Sequence, residues 1–190
     1  MKVSDGIELK LLSLEHRDEL FRLVDTNREH LREWLPWLDT NRSTNDTEAF
    51  IESVTAQHNS GKGPQYAVFH DTNMCGVCGF HPMDMSNRIG AIGYWLCKRY
   101  SGHGIMTKAV QMLVEVGFRE YHLNRIEIAC ATANRRSRAI PERLGFQFEA
   151  VLREREYLYG KYVDHAIYSL LASDSPLKQR LHGDPALPCA

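Results

Sequence analysis

The sequence has no apolar run long enough to cross a bilayer, and residues 1–6 lead into a strand pattern with no apolar signal core behind them. A soluble, cytoplasmic protein is expected, with no membrane partner. It has no excess of either charge, since 23 Lys and Arg stand against 24 Asp and Glu for a net charge of −1. Nucleic-acid binders usually carry a basic face, so nucleic acid is not an expected partner. Cysteines are few and odd in number, five in all, which argues for reduced thiols rather than a disulfide framework. Cys75-x-x-Cys78 has no second pair to complete a zinc site, and the histidines show no pair at ligand spacing on one helix. No metal is expected. Cys97 and Cys130 fall in apolar strand patterns, where a buried thiol is a commoner reading than a nucleophile. With no export signal, the Asn-x-Ser/Thr strings at Asn41 and Asn45 are chance sequons.

What is present is enough apolar residue, 43% of 190, to bury a substantial core in one domain. That domain is expected over residues 1–172; residues 173–190 carry three prolines and little apolar pattern and read as a loose tail. Ile7, Leu9 and Leu11 alternate as a strand, and Leu20, Phe21, Val24 and Leu31 recur as one helix face. Phe50, Ile51 and Val54 stripe a second helix over residues 44–57, after a capping Ser/Thr/Asn cluster. Residues 66–69 and 74–80 read as a hairpin, residues 89–96 and 125–131 as strands, and 146–159 and 162–171 as a closing strand pair linked at Gly160-Lys161. The order predicts a mixed α/β (α+β) sheet, with antiparallel meander strands first and one central parallel βαβ crossover.

The crossover carries the chemistry. Arg99-Tyr100-Ser101-Gly102-His103-Gly104 joins a strand to a helix whose Ile105, Ala109, Met112, Leu113 and Val116 form one stripe. Two glycines let the backbone bend so that successive N–H groups at the helix start converge, and the helix dipole favours an anion there. A Walker A loop fails, because Lys108 follows Thr107 rather than a glycine. A dinucleotide fingerprint fails too: Thr107 stands where its third glycine belongs, and the next strand ends without an acidic residue.

What remains, Arg/Gln-x-x-Gly-x-Gly/Ala between strand and helix, resembles the acetyl-coenzyme A loop of the GNAT family of N-acetyltransferases. The later string Asn134-x-x-Ser137-x-x-x-Pro141-Glu142-Arg143-Leu144-Gly145-Phe146 resembles the second half of that family's core. With Gly93-Tyr94-Trp95 and Glu156-Tyr157-Leu158-x-Gly160-x-Tyr162-x-Asp164, the chain is similar to the RimL/RimJ-type branch that acetylates ribosomal protein N-termini, over roughly residues 5–172. The resemblance implies the GNAT fold and acetyl-coenzyme A as cosubstrate. It also implies cofactor contacts from Trp95, Leu96, Arg99, Ser101, Gly102, His103, Gly104, Ile105 and Met106, and a hydrogen bond from the Asn134 amide to the pantetheine arm.

The same resemblance implies a carboxylate base at Glu156 and a hydroxyl facing the departing thiolate at Ser137. Other readings stand beside these: Ser137 as a helix N-cap, and Glu156 as a solvated strand carboxylate or a partner of Arg153 or Arg155. Arg99 heads the phosphate motif; Arg135, Arg136 and Arg138 are further candidates for the phosphates. Tyr94 and Trp95 close the strand that would splay, and a strand N–H there suits a thioester carbonyl. Tyr94, Trp34 and Trp37 are the expected acceptor residues, the tryptophans reading either as an apolar wall or as core under a loop that Pro36 keeps from being helical. The expected acceptor is a protein N-terminus. A small amine such as a polyamine or an antibiotic amino group is the alternative, with Asp39, Asp46, Glu48 and Glu52 as its carboxylates, and a non-catalytic coenzyme A-binding domain is a reading of another class. A homodimer is compatible with the sequence, which leaves the oligomeric state open.

Overall fold

Alternation along the strands divides the apolar residues between two helical layers. In the computed structural model, which describes residues 1–174, β3 (Gln65–His70) sends Tyr66 and Val68 into one core and Ala67 and Phe69 into another. The first core packs under α4 (Ile105–Arg119) and α5 (Arg135–Arg143). The second packs under α1 (Arg17–Thr26), α2 (Arg28–Arg32) and α3 (Thr44–Asn59). Between them runs one sheet of eight strands, in which β1 (Lys2–Ser4), β2 (Ile7–Leu11), β4 (Asn73–Phe80), β5 (Ile89–Leu96), β6 (Arg125–Ala131), β7 (Gln147–Leu158) and β8 (Lys161–Leu171) join β3 in the order β1-β2-β3-β4-β5-β6-β8-β7. Every neighbouring pair is antiparallel except β5 and β6, which are parallel and joined through α4. The mixed α/β sheet with one central parallel crossover is therefore as expected. No helix among the described residues is long and apolar enough to cross a membrane.

Three local differences have physical causes. The stripe from Leu20 to Leu31 is broken at Asn27, whose side-chain amide donates to Leu23 O (2.9 Å) while its oxygen accepts Lys98 N–H (3.2 Å). An Asn that bonds nearby backbone competes with helix continuation, so two helices replace one. The first residues add a short strand, β1, beside β2. Cys97 lies just past β5 rather than in a strand, where it caps a 3-10 turn. Cys75, Cys78, Cys97 and Cys130 are all buried, and burial pushes the Cys75 thiol up to about 12, so these thiols stay protonated as packing groups. Of the expected tail, residues 175–190 lie outside the described residues.

The feature that positions the site is a parting of strands. β5 and β6 pair only from Ile89↔Arg125 to Ala91↔Glu127. Beyond that, β5 stays with β4 as far as Gly76↔Leu96, and β6 stays with β8 as far as Ala131↔His165.

Candidate active site

The parted strand presents backbone rather than side chain to the gap. An antiparallel ladder bonds alternate residues to one neighbour and turns the rest away. His81 N–H donates to Ala91 O and Cys97 N–H to Cys75 O, both at 2.8 Å, so odd-numbered residues of β5 serve β4. The N–H and C=O groups of Tyr94 and Leu96 consequently face β6, from which β5 has already separated. Both residues border a cavity of about 1840 Å³.

The start of α4 lines the same cavity. Gly104 caps the helix at φ 76° with no side-chain cap, and no acidic residue occupies the first turn. Lys108 N–H closes the first turn on Gly104 O (3.1 Å), leaving the N–H groups of Ile105, Met106 and Thr107 without helical acceptors. Gly102 shares the left-handed geometry at φ 88°, and a Cβ on either glycine would meet no protein atom within 4 Å. Unpaired N–H groups, a helix dipole and open space make a seat for an anion. Lys98, Lys108, Arg135, Arg136 and Arg143 also border the cavity. Among the sequence candidates, Arg99 and His103 do not, and Arg99 instead lies near the Tyr100 ring, 5.8 Å from its centroid. Arg138 belongs to packing, donating to Tyr168 Oη (2.9 Å) and Thr132 O (3.1 Å) while Tyr168 donates to Glu142 (2.7 Å).

At the start of α5, Asn134 rather than Ser137 is the N-cap: its side-chain oxygen accepts Ser137 N–H at 3.1 Å. The alternative reading of Ser137 as the N-cap thus fails in favour of the residue three before it, and the Ser137 hydroxyl is left for other work. It donates to Tyr94 Oη (3.2 Å), and Tyr94 donates in turn to Ser137 O (3.0 Å). Burial pushes the Tyr94 phenol well above its usual range, so it remains protonated. Across the cavity lining, Glu156 on β7 meets His165 on β8, Oε2 to Nε2 at 3.2 Å. Neither Arg153 nor Arg155 is Glu156's partner among the ion pairs of the described residues.

Trp34 and Trp37 border the cavity and are half-buried, with the Trp37 and Trp95 rings 6.3 Å apart. Trp37 also packs against the second core, whereas Trp34 only lines the cavity. Their loop is fastened from an unexpected direction: Tyr159, at the β7–β8 turn, donates to Leu35 O (2.7 Å) and accepts Leu38 N–H (3.2 Å). His81 also faces the cavity, in space kept clear by Gly93, where a Cβ would lie 2.8 Å from its Nε2. The protein around its ring lowers the His81 imidazole from its usual range. Sequence reasoning passed over His81, His165, Arg143 and Tyr159. His165 directly follows the Glu156-to-Asp164 string and had a local signal, whereas Tyr159 touches a loop more than 120 residues away in sequence and had none.

The family model for the acetyltransferase (GNAT) domain matches residues 7–147. This chain belongs to the GNAT acetyltransferases. It is similar to a putative ribosomal N-acetyltransferase, YdaF, of Bacillus subtilis (strain 168), 36% identical over 172 residues that cover 90% of this chain and 93% of YdaF. Among solved structures, a RimL ribosomal L7/L12 alpha-N-protein acetyltransferase in complex with coenzyme A superposes with a TM-score of 0.88 at 29% identity, covering 92% of this chain and 98% of RimL. The microcin C7 self-immunity acetyltransferase MccE, in complex with acetyl-CoA and AMP, has a TM-score of 0.85 at 30% identity, covering 90% of this chain and 95% of MccE. The GNAT fold and an N-acetyltransferase activity follow from membership. Of the residues singled out in the sequence, Trp34, Trp37, Tyr94, Trp95, Leu96, Ser101, Gly102, Gly104, Ile105, Met106, Asn134, Ser137 and Glu156 share this cavity.

Proposed function

We propose that this chain transfers the acetyl group of acetyl-coenzyme A to the N-terminal α-amine of a protein, ribosomal proteins among them. The observation that carries the reading is the β5–β6 gap: unpaired strand groups of Tyr94 and Leu96 open beside the glycine-led start of α4, which has no side-chain cap. The residues suit acetyl-coenzyme A: the N–H groups of Ile105, Met106 and Thr107 would hold its pyrophosphate, Arg135, Arg136 or Arg143 would pair with its remaining phosphate, and the unpaired groups of β5 would hold its pantetheine arm. Bound there, it supplies a thioester that an amine can attack.

The α-amine attacks only as the free base, and its reference pKa is about 8, so a single acceptor for its proton suffices near neutral pH. Glu156, held by His165, takes that proton as the N–C bond forms. The C–S bond then breaks, and the Ser137 hydroxyl, turning its one proton away from Tyr94 Oη, donates to the departing thiolate. An N–H from Tyr94 or Leu96 meets the negative charge developing on the carbonyl oxygen. The acceptor side supports an α-amine over a polyamine. Several carboxylates that a polycation would need are engaged: Asp39 with Arg32 (2.8 Å), Glu48 with Arg17 (2.8 Å), and Asp46 in the Ser43 cap (2.7 Å).

The test compares kcat/KM at one pH for a short peptide beginning with Ser or Ala, its N-terminally blocked copy containing lysine, and spermidine. The free N-terminus is expected to lead. A clear win for spermidine or for the blocked peptide overturns the acceptor reading while leaving the acetyltransferase intact. In Glu156→Gln the deficit in turnover should shrink as pH rises, because the amine then deprotonates itself; a pH-independent loss removes Glu156 as the base.

A further inference from the structure

We propose that Asp164 is a positioning residue that sets Glu156 in register by latching a strained bulge at Glu154. The proposal rests on the reading of Glu156 as the base. Its ground is the count of residues across the β7–β8 ladder. Leu152 stands opposite His165, and the next pair is Glu156 opposite Val163. Arg153, Glu154 and Arg155 therefore face Asp164 alone, two residues more than a regular ladder allows.

In an unbroken ladder Glu154 would stand opposite Val163 and Glu156 opposite Lys161, carrying Glu156 about 6.6 Å further along β8 from His165. The extra loop of chain removes that separation, and Glu156 reaches His165 Nε2 at 3.2 Å on the cavity side. Bulges next to active sites commonly re-aim a side chain in this way. The bulge needs Glu154 at φ 51°, a left-handed conformation that L-residues rarely adopt and glycine adopts freely. Packing does not hold it there, because the side chains of Arg153, Glu154 and Arg155 are all exposed and β7 is the edge of the sheet. A side-chain bond does reach it: Glu154 N–H donates to the Asp164 carboxylate at 2.8 Å. Asp164 is itself fixed to the far side of the gap, its backbone O accepting Thr132 N–H (2.9 Å) just past β6. The latch thus ties the base to the same strand that bounds the gap.

The test follows turnover with a peptide of free N-terminus, alongside backbone amide exchange. Asp164→Ala should lose the exchange protection of the Glu154 amide and lower kcat on the order of ten- to a hundredfold, the scale of an ångström-sized misplacement of a reacting group. KM for acetyl-coenzyme A should not change. The deficit should shrink as pH rises, as in Glu156→Gln. Asp164→Asn keeps an oxygen acceptor and should retain most activity. Adding Glu154→Gly to Asp164→Ala should recover part of kcat, since glycine adopts the left-handed conformation without strain. Asp164→Ser, polar but too short to reach the amide, should behave as Asp164→Ala and serves if the alanine variant does not fold. Full turnover in Asp164→Ala while Glu156→Gln is impaired overturns the latch alone; full turnover in Glu156→Gln overturns the base reading beneath it. A pH-independent loss in Asp164→Ala, with acetyl-coenzyme A affinity falling in parallel, also overturns positioning, because it marks general damage to the fold.

Discussion

Gly104→Val and Gly61→Val impose the same backbone strain at two places, only one of which lines the cavity. Gly104 has φ 76° and Gly61 has φ 73°, and an added Cβ meets no protein atom within 4 Å at either. In the free protein each valine therefore pays only for a left-handed backbone, about 1–2 kcal/mol. For a chain of this length that is a fall in Tm of about 2–8 °C, and it should be nearly equal in the two variants. The difference lies in what occupies the open space. Gly104 caps α4 beside the unpaired N–H groups, so its new side chain would stand where a pyrophosphate approaches the backbone; Gly61 follows α3 and does not border the cavity. Separating an anion from even one or two of those N–H groups forfeits charge-assisted hydrogen bonds of about 1.5–3 kcal/mol each, roughly tenfold or more in Kd. Thermal unfolding and calorimetric titration with coenzyme A read the two quantities independently. Equal Kd for wild type and Gly104→Val, or an equal loss in Gly61→Val, would refute the phosphate seat.

Tyr159→Phe removes the hydroxyl that donates to Leu35 O and accepts Leu38 N–H, and should cost about 1–3 kcal/mol of stability. Because those bonds hold the Trp34–Trp37 loop, KM for the acceptor should rise while KM for acetyl-coenzyme A stays constant. Parallel changes in both would show that the loop does not shape the acceptor side. Glu149 gives a pH dependence: Arg125 and then Ser169 hold its carboxyl at about 2, below the usual 4.5. A lowered folded-state value contributes stability that is fully present above pH 4.5 and is lost as pH falls through about 2. With the Glu149 side chain 40% exposed, solvent screening limits that contribution to about 1 kcal/mol. Urea titrations of wild type and Glu149→Gln should therefore differ at pH 6 and converge toward pH 2; a constant difference would assign Glu149 a role in packing alone.

The sheet and its crossover were legible because burial imposes a period. Ile89–Leu96 and Arg125–Ala131 were bounded correctly from apolar pattern alone, and the glycine pair ahead of Ile105 marked where the backbone had to turn left-handed. Local chemistry of that kind is written in neighbouring residues. The strings around Gly102, Asn134 and Glu156 likewise named residues that meet in the cavity, through their order and spacing.

What sequence could not supply was register and partnership across distance. Arg99 and Lys98 are both cationic, yet Lys98 borders the cavity and Arg99 does not. Arg135, Arg136 and Arg138 form one run, yet the helix turn delivers the first two to the cavity and the third to Tyr168. The Ser137 hydroxyl was freed only because Asn134 took the cap, a choice made by the geometry of a single helical turn. Tyr159 and the Trp34–Trp37 loop had no reason to be paired until the β7–β8 turn was folded beside α2. Sequence by itself determined the periods, the breakers and the left-handed glycines ahead of α4, since these depend on interactions within a few residues. Tertiary structure alone decided where β5 leaves β6 and how many residues of β7 stand opposite Asp164, because strand register is an agreement between segments whose sequences carry no count of one another.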